Sequence, residues 1–219
     1  PPKLIARIAC DSKYWLWINS RMVVFEGQLK RGPSPHDTYY DKVNIAPYLQ
    51  KGDNIIAVLL WYFGKEGFSH KSSGKAGFIF DCQSQNRNIL SNKTWLSRID
   101  PGYILTSPPY PNYRLPETNI GFDARKSNRQ WMHNEYTPNS ILPLYSWGQS
   151  REWGVPPVPP WNELIQRPVP FWKNTGLMEY ENASELSDKA TGDTIECKLP
   201  YNCHVTPYLK IDAPAGEKI

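Results

Sequence analysis

Proline occupies 21 of the 219 positions, and six of them fall in two tight runs, Val155-Pro156-Pro157-Val158-Pro159-Pro160 and Arg167-Pro168-Val169-Pro170. Each proline removes a backbone donor and its ring collides with the preceding helical turn, so long helices are disfavoured. Nine Trp and thirteen Tyr accompany them. That combination suits a sandwich of strands with long ordered loops. Between Gln149 and Pro170 the proline spacing favours an extended, semi-rigid strap, centred near residues 155–170. Three Trp nearby imply that the strap is packed down rather than held out to an SH3-type partner.

Leu4 to Ile8 and Tyr14 to Ile18 read as strands, separated by the turn-forming Asp11-Ser12-Lys13. Asn19-Ser20-Arg21 reverses the chain into Met22-Val23-Val24-Phe25 and closes a hairpin. A Pro-containing loop, Gly32 to Asp37, leads to the extended segment Tyr39 to Ile45. Ala46-Pro47-Tyr48-Leu49 reads as one turn that seats Leu49 on the core, and Lys51-Gly52-Asp53-Asn54 turns the chain again. The run that follows, Ile55 to Phe63, is apolar on both alternating faces, which fits a central strand covered on both sides. Ala76 to Cys82 gives another strand, and Ile89 to Ser97 one more around Thr94-Trp95. Trp161 to Gln166 reads as a single helical turn between the two proline runs. A meander of short strands predicts an all-β sandwich or jelly roll.

After Gly176 the texture changes, and Thr194 to Lys210 alternates through Ile195, Cys197, Leu199, Val205, Tyr208 and Leu209. The expected division is therefore a sandwich over residues 1–176 and the beginning of a second, incomplete β-sandwich over 177–219.

Charge excludes some partners. The 25 basic and 21 acidic residues, net +4, are scattered, with no basic cluster to follow a nucleic-acid backbone. No apolar run approaches the length of a membrane-spanning helix. Pro1-Pro2-Lys3 runs straight into strand-like sequence rather than a signal peptide, so a mature or excised product fits as well as a cytoplasmic one. The compartment stays open, with a periplasmic or secreted location favoured. Cys10, Cys82, Cys197 and Cys203 lack C-x-x-C spacing and read as buried thiols or one incidental disulfide. His36, His70, His133 and His204 are too dispersed for a metal site or a nucleophilic relay.

The ordered series Trp15-Leu16-Trp17-Ile18-Asn19-Ser20-Arg21, Gly32-Pro33, Tyr39-Tyr40-Asp41, Ala46-Pro47-Tyr48-Leu49, Gly52-Asp53-Asn54 and Ile56-Ala57-Val58 resembles the N-terminal β-sandwich of bacterial α-L-rhamnosidases. Gly121-Phe122-Asp123-Ala124-Arg125 looks like that family's Tyr-Asp-Ala-Arg segment, and Arg167-Pro168-Val169-Pro170 like its Arg-Pro-Ile-Pro exit. Leu209-Lys210-Ile211 with the stretch from Ala213 to Ile219 resembles the opening of the next, concanavalin-like sandwich. The resemblance implies a galactose-binding-like jelly-roll β-sandwich; sugar-binding jelly rolls of β-galactosidase-like enzymes share the turn-and-strand part. The chain departs from the pattern at Ser34-Pro35-His36, where the family often has an arginine, and at Ala46, Asn44 and Ser20, which stand for Thr, Asp and Gly.

Glycoside hydrolysis with inversion needs two carboxyl groups roughly 6.5–9.5 Å apart. The resemblance implies that the parent enzyme carries that pair in a downstream (α/α)-barrel, which would also be this portion's packing partner. Here Glu66, Glu117, Asp123, Glu135 and Glu152 lie in loops with no spacing that selects two, and they read as surface carboxylates; no catalytic residue is assigned. On alternate positions of an extended segment, Asp123 and Arg125 can form a structural ion pair or touch a sugar. Aromatic rings stack on apolar sugar faces. Tyr110, Tyr113, Trp131, Trp147, Trp153 and Trp161 are the loop candidates for carbohydrate, a rhamnose-containing glycan being the ligand the resemblance implies. Related sandwiches hold calcium through oxygen ligands, yet no Asp/Asn loop here has the spacing that would assign residues to it. A stand-alone carbohydrate-binding module, the sugar-binding domain of a β-galactosidase-like enzyme and a purely structural sandwich are the alternatives.

Overall fold

Alternation along the strands sorts the side chains into a core and an outer face. The computed structural model describes residues 3–105, 120–133 and 147–214, apart from positions 28, 31, 35, 65, 67–69, 85–87, 128, 153, 155, 160, 174–175, 188, 190–191, 193, 204 and 206. In chain order the strands are β1 (Ile5–Asp11), β2 (Lys13–Ile18), β3 (Arg21–Val24), β4 (Thr38–Asn44), β5 (Ile56–Trp61) and β6 (Gly77–Gln83). There follow β7 (Asn88–Leu90), β8 (Leu96–Ser97), β9 (Tyr103–Leu105), β10 (Ile120–Phe122), β11 (Gly148–Gln149) and β12 (Leu164–Gln166). The helical elements among the described residues are single 3₁₀ turns.

A five-stranded sheet runs β12-β4-β1-β6-β7 and a three-stranded sheet runs β3-β2-β5. The shared core takes Ala6, Ile8 and Cys10 from β1, Phe80 and Cys82 from β6, and Tyr14, Leu16 and Ile18 from β2. Every second residue of β2 and β5 points the other way, so Trp17 and Ala57 join Trp131 in an outer cluster with Trp15, Leu59 and Trp147 packed on it. This is the all-β sandwich the sequence predicts.

Two consecutive strands, β1 and β2, lie in different sheets, so Asp11-Ser12-Lys13 carries the chain across the sandwich. Ser12 serves the corner fully: its N–H donates to the Trp61 carbonyl at 2.9 Å, and its Oγ donates to Asp11 Oδ1 at 2.8 Å and accepts from the Phe63 N–H at 3.1 Å. The hairpin between β2 and β3 turns on Asn19 and Ser20, both left-handed, at φ 50° and 65°. Such a two-residue turn matches the strand twist, and Asn tolerates the conformation better than most residues. Asn19 then ties the hairpin to its neighbours. Its Nδ2 donates to the Tyr48 carbonyl and to Asn54 Oδ1, and its Oδ1 accepts from the Ile55 N–H.

Several sequence expectations need correction. The Ile55–Phe63 run is not central: β5 is the edge strand of its sheet, paired with β2 alone among the described strands. It is apolar on both faces because Ile56, Val58 and Leu60 pack on the core while Ala57 and Leu59 pack in the outer cluster. Ile89 to Ser97 makes two short strands, with Lys93-Thr94 as the turn between them. Trp161 to Gln166 forms no helical turn; Leu164–Gln166 is β12, parallel to β4 in the register Leu164↔Thr38, Ile165↔Tyr39 and Gln166↔Tyr40. The sheet edge supplies the hydrogen bonds that the proline-flanked segment cannot make within itself.

The chain divides into two compact units, Pro1–Trp172 and Lys173–Ile219. In the second, Asn182 is the internal clamp: its Nδ2 donates to the Glu196 carbonyl and its Oδ1 accepts from the Lys198 N–H at 2.8 Å. The alternating residues Ile195, Leu199, Val205, Tyr208 and Leu209 are exposed, and no strand occurs among the described residues of 177–214. A strand requires a neighbour to take its N–H and C=O groups, and alternation alone provides none.

Candidate functional site

A cleft of about 550 Å³ opens where the loop before β4, the loop before β6 and the proline strap meet; it is lined by Lys30, His36, Glu66, Lys71, Ser72, Pro159 and Asn162. Backbone bonds build its floor. The Lys30 N–H donates to the Ser12 carbonyl and the Lys71 N–H to the Lys30 carbonyl, each at 3.0 Å. Tight packing at two glycines holds the loop inward: a Cβ on Gly27 would fall 2.0 Å from Tyr14 Cε1, and one on Gly32 would fall 2.6 Å from the Asp37 backbone. The strap closes one wall, because Asn162 Nδ2 donates to the His36 carbonyl at 2.8 Å and Thr38 Oγ1 donates to the Trp161 carbonyl at 2.8 Å.

Lys30 is the unusual member, a lysine only 1% exposed. Its burial pushes the ammonium pKa down, against the attraction of Asp11, Glu66 and Asp37. Those three carboxylates are engaged elsewhere. Asp11 accepts from Ser12 Oγ and from the Ser73 N–H, Asp37 accepts from Ser34 Oγ at 2.6 Å, and Glu66 pairs with Lys71 at 3.2 Å. The lining thus combines two lysines and one carboxylate with His36, Ser72, Asn162 and Pro159 around them.

The aromatic candidates do not converge on it. Trp131 is 8% exposed and stands edge-on to Trp17 at 5.4 Å in the outer cluster. Trp147 is half-buried in the same cluster, with the Arg98 guanidinium over its ring at 4.9 Å. Trp161, 7% exposed, lies so close to β6 that a Cβ on Gly77 would fall 2.4 Å from its Cζ2. Tyr110, Tyr113 and Trp153 lie outside the described residues, as do Glu117, Glu135 and His204. Asp123 and Arg125 meet as a bidentate pair, Nε to Oδ1 at 2.8 Å and Nη2 to Oδ2 at 2.9 Å. They meet across the turn Ala124–Lys126 rather than along an extended face, and the Arg125 N–H also donates to Asp123 Oδ1. Arg125 thereby lowers the Asp123 pKa to about 2.

None of the four cysteines is in a disulfide; Cys10 and Cys82 are buried, Cys197 is exposed and Cys203 half-buried. Calcium takes six to eight oxygen ligands; among the described residues no group of three His, Cys, Asp or Glu side chains is placed to hold a metal ion. Nor is any helix among the described residues long and apolar enough to cross a membrane.

Sequence reasoning missed Lys30, Lys71, Ser72, Pro159 and Asn162. In sequence, Lys30 reads as one more polar loop residue before Gly32-Pro33, and the only local signal of its burial is the pair of glycines around it.

No protein-family model matches this chain, and no curated protein does. The solved structure of a GH78 family rhamnosidase of Bacillus sp. GL1 is similar in fold, with a TM-score of 0.65 and 25% sequence identity. The likeness covers 78% of this chain and 17% of that one, so this chain spans a small share of that protein's length.

Proposed function

We propose that this chain is the non-catalytic β-sandwich portion of a larger α-L-rhamnosidase-like glycoside hydrolase. The observation that carries the reading is the fold likeness to a GH78 rhamnosidase over 78% of this chain and 17% of that one. In this reading the whole protein releases terminal α-L-rhamnosyl residues with inversion, from an (α/α)-barrel downstream. The sandwich over residues 1–176 packs against that catalytic part, and residues 177–219 open the next sandwich.

The chemistry of the described carboxylates supports a non-catalytic role. Inverting hydrolysis needs an acid and a base facing each other across a sugar. Asp41 is committed to Arg167 and Tyr14, Asp123 to Arg125, and Glu152 to the Lys93 N–H. The Lys30 cleft is lined by one carboxylate, Glu66, which is paired with Lys71.

The test is an assay of this chain with an aryl α-L-rhamnoside, beside a longer polypeptide that includes a barrel. Release of the aryl group by the longer form only is the expected result. Saturable turnover by this chain alone would sink the reading.

A further inference from the structure

We propose that the Lys30 cleft is a binding site for the carboxylate of an acidic saccharide, held between the ammonium groups of Lys30 and Lys71. The choice of a saccharide rests on the accessory-module reading above; the choice of an anion rests on the cleft itself.

Lys30 carries the argument. Its side chain is buried, lines the cleft, and makes no ion pair or hydrogen bond through its ammonium with a described residue. An enclosed ammonium bonded to none of the described residues is costly to keep charged, and an anion entering the cleft would supply a bonded partner. Asp11 and Asp37 attract the ammonium electrostatically, but the bonds they make are to Ser12, Ser73 and Ser34. Lys71 stands beside the opening, half-exposed, and its ion pair with Glu66 is a surface contact that a bound carboxylate can displace.

The remaining wall suits a sugar better than a bare anion. Ser72 Oγ accepts from the Gly74 N–H at 3.1 Å, which leaves its hydroxyl proton to donate. Asn162 spends its Nδ2 on the His36 carbonyl, which leaves its Oδ1 to accept from a ligand hydroxyl. Pro159 adds a flat apolar surface to the lining. At about 550 Å³ the space falls within the range of small-molecule sites. A uronic acid combines the three features such a wall recognises: one carboxylate, several hydroxyls and an apolar ring face.

The experiment is calorimetric titration of the full chain with D-glucuronate and a di-uronate, with L-rhamnose and sodium sulfate as separate arms. Uronates are expected to bind saturably, at least about tenfold tighter than either rhamnose or sulfate, and to weaken as salt rises. Lys30→Met is expected to lose about tenfold or more of the uronate affinity, Lys71→Gln roughly threefold, and Glu66→Gln to bind more tightly. Silence toward uronates, equal binding of rhamnose, or sulfate as tight as uronate overturns the proposal. So does unchanged affinity in Lys30→Met; if that variant does not fold, unchanged affinity in both Lys71→Gln and Glu66→Gln overturns it instead. Rhamnoside hydrolysis by this chain would sink the accessory reading without altering the uronate result, so the two failures are distinguishable.

Discussion

Asp41 and Arg167, 126 positions apart in sequence, form an ion pair of 2.5 Å at the side of the five-stranded sheet. Asp41 ends the Tyr39-Tyr40-Asp41 segment of β4, and Arg167 opens Arg167-Pro168-Val169-Pro170, so two separate sequence motifs meet in one contact. The second Asp41 oxygen accepts from the Tyr14 hydroxyl at 2.8 Å, which links the core to the strap. Arg167 also lies over the Phe171 ring at 4.9 Å, and its N–H donates to the Tyr40 carbonyl.

Arg167→Met is expected to destabilise the chain by about 3 kcal/mol, because it removes the cationic partner of the buried Asp41 carboxylate. Urea denaturation measures it, as a lower midpoint at unchanged slope. A loss under about 1 kcal/mol would mean that water solvates Asp41 and that the pair does not anchor the strap.

Gly77→Ala is expected to cost about 1–3 kcal/mol by overpacking, since the new Cβ would fall 2.4 Å from Trp161 Cζ2. Trp161 must shift, and its fluorescence should move toward that of a wetter indole. Gly148→Ala is the control, because a Cβ there meets nothing within 4 Å. Equal stability of the two variants would show that the strap yields freely.

Lys30→Met is expected to stabilise the chain at neutral pH and to lose that advantage in alkali. The folded pKa of Lys30 lies below its ordinary value of 10.5, so between the two values the unfolded chain holds more protons and stability rises with pH. The burial cost is fully present below the depressed pKa and fades as pH climbs toward 10.5. Thermal unfolding of both proteins across pH 7–11 measures the gap; a gap that widens with pH contradicts the argument.

Arg125→Ala is expected to return the Asp123 pKa from about 2 toward 3.8. Asp123 is depressed by Arg125, first through their side-chain hydrogen bonds, so its contribution is present above 3.8 and lost as pH falls through about 2. The pair is exposed on the Arg125 side, so the gain in stability is small. Carboxyl carbon shifts followed by NMR between pH 5 and 1.5 measure it; an unchanged titration in the variant would assign the depression to something other than Arg125.

By itself the sequence determined what is local. Residue type marked Tyr14 to Ile18 as a strand, and turn chemistry placed the reversals at Asn19-Ser20 and Gly52, where φ is positive. Proline density ruled out long helices and marked the strap. Tertiary structure alone decided the rest. Alternation shows that two faces of Ile55 to Phe63 are covered, but it does not say whether a second strand lies alongside, so the edge position of β5 was invisible. Leu164–Gln166 became a strand because β4 offered an unpaired edge, a condition set more than a hundred residues away. Lys30 belongs to the same class: apart from the glycines around it nothing in its neighbours distinguishes it from a solvated loop lysine, and it is buried because segments around Ser12, Lys71 and Asn162 close over it. Side-chain period is written in adjacent residues, whereas pairing and enclosure depend on which distant surfaces meet.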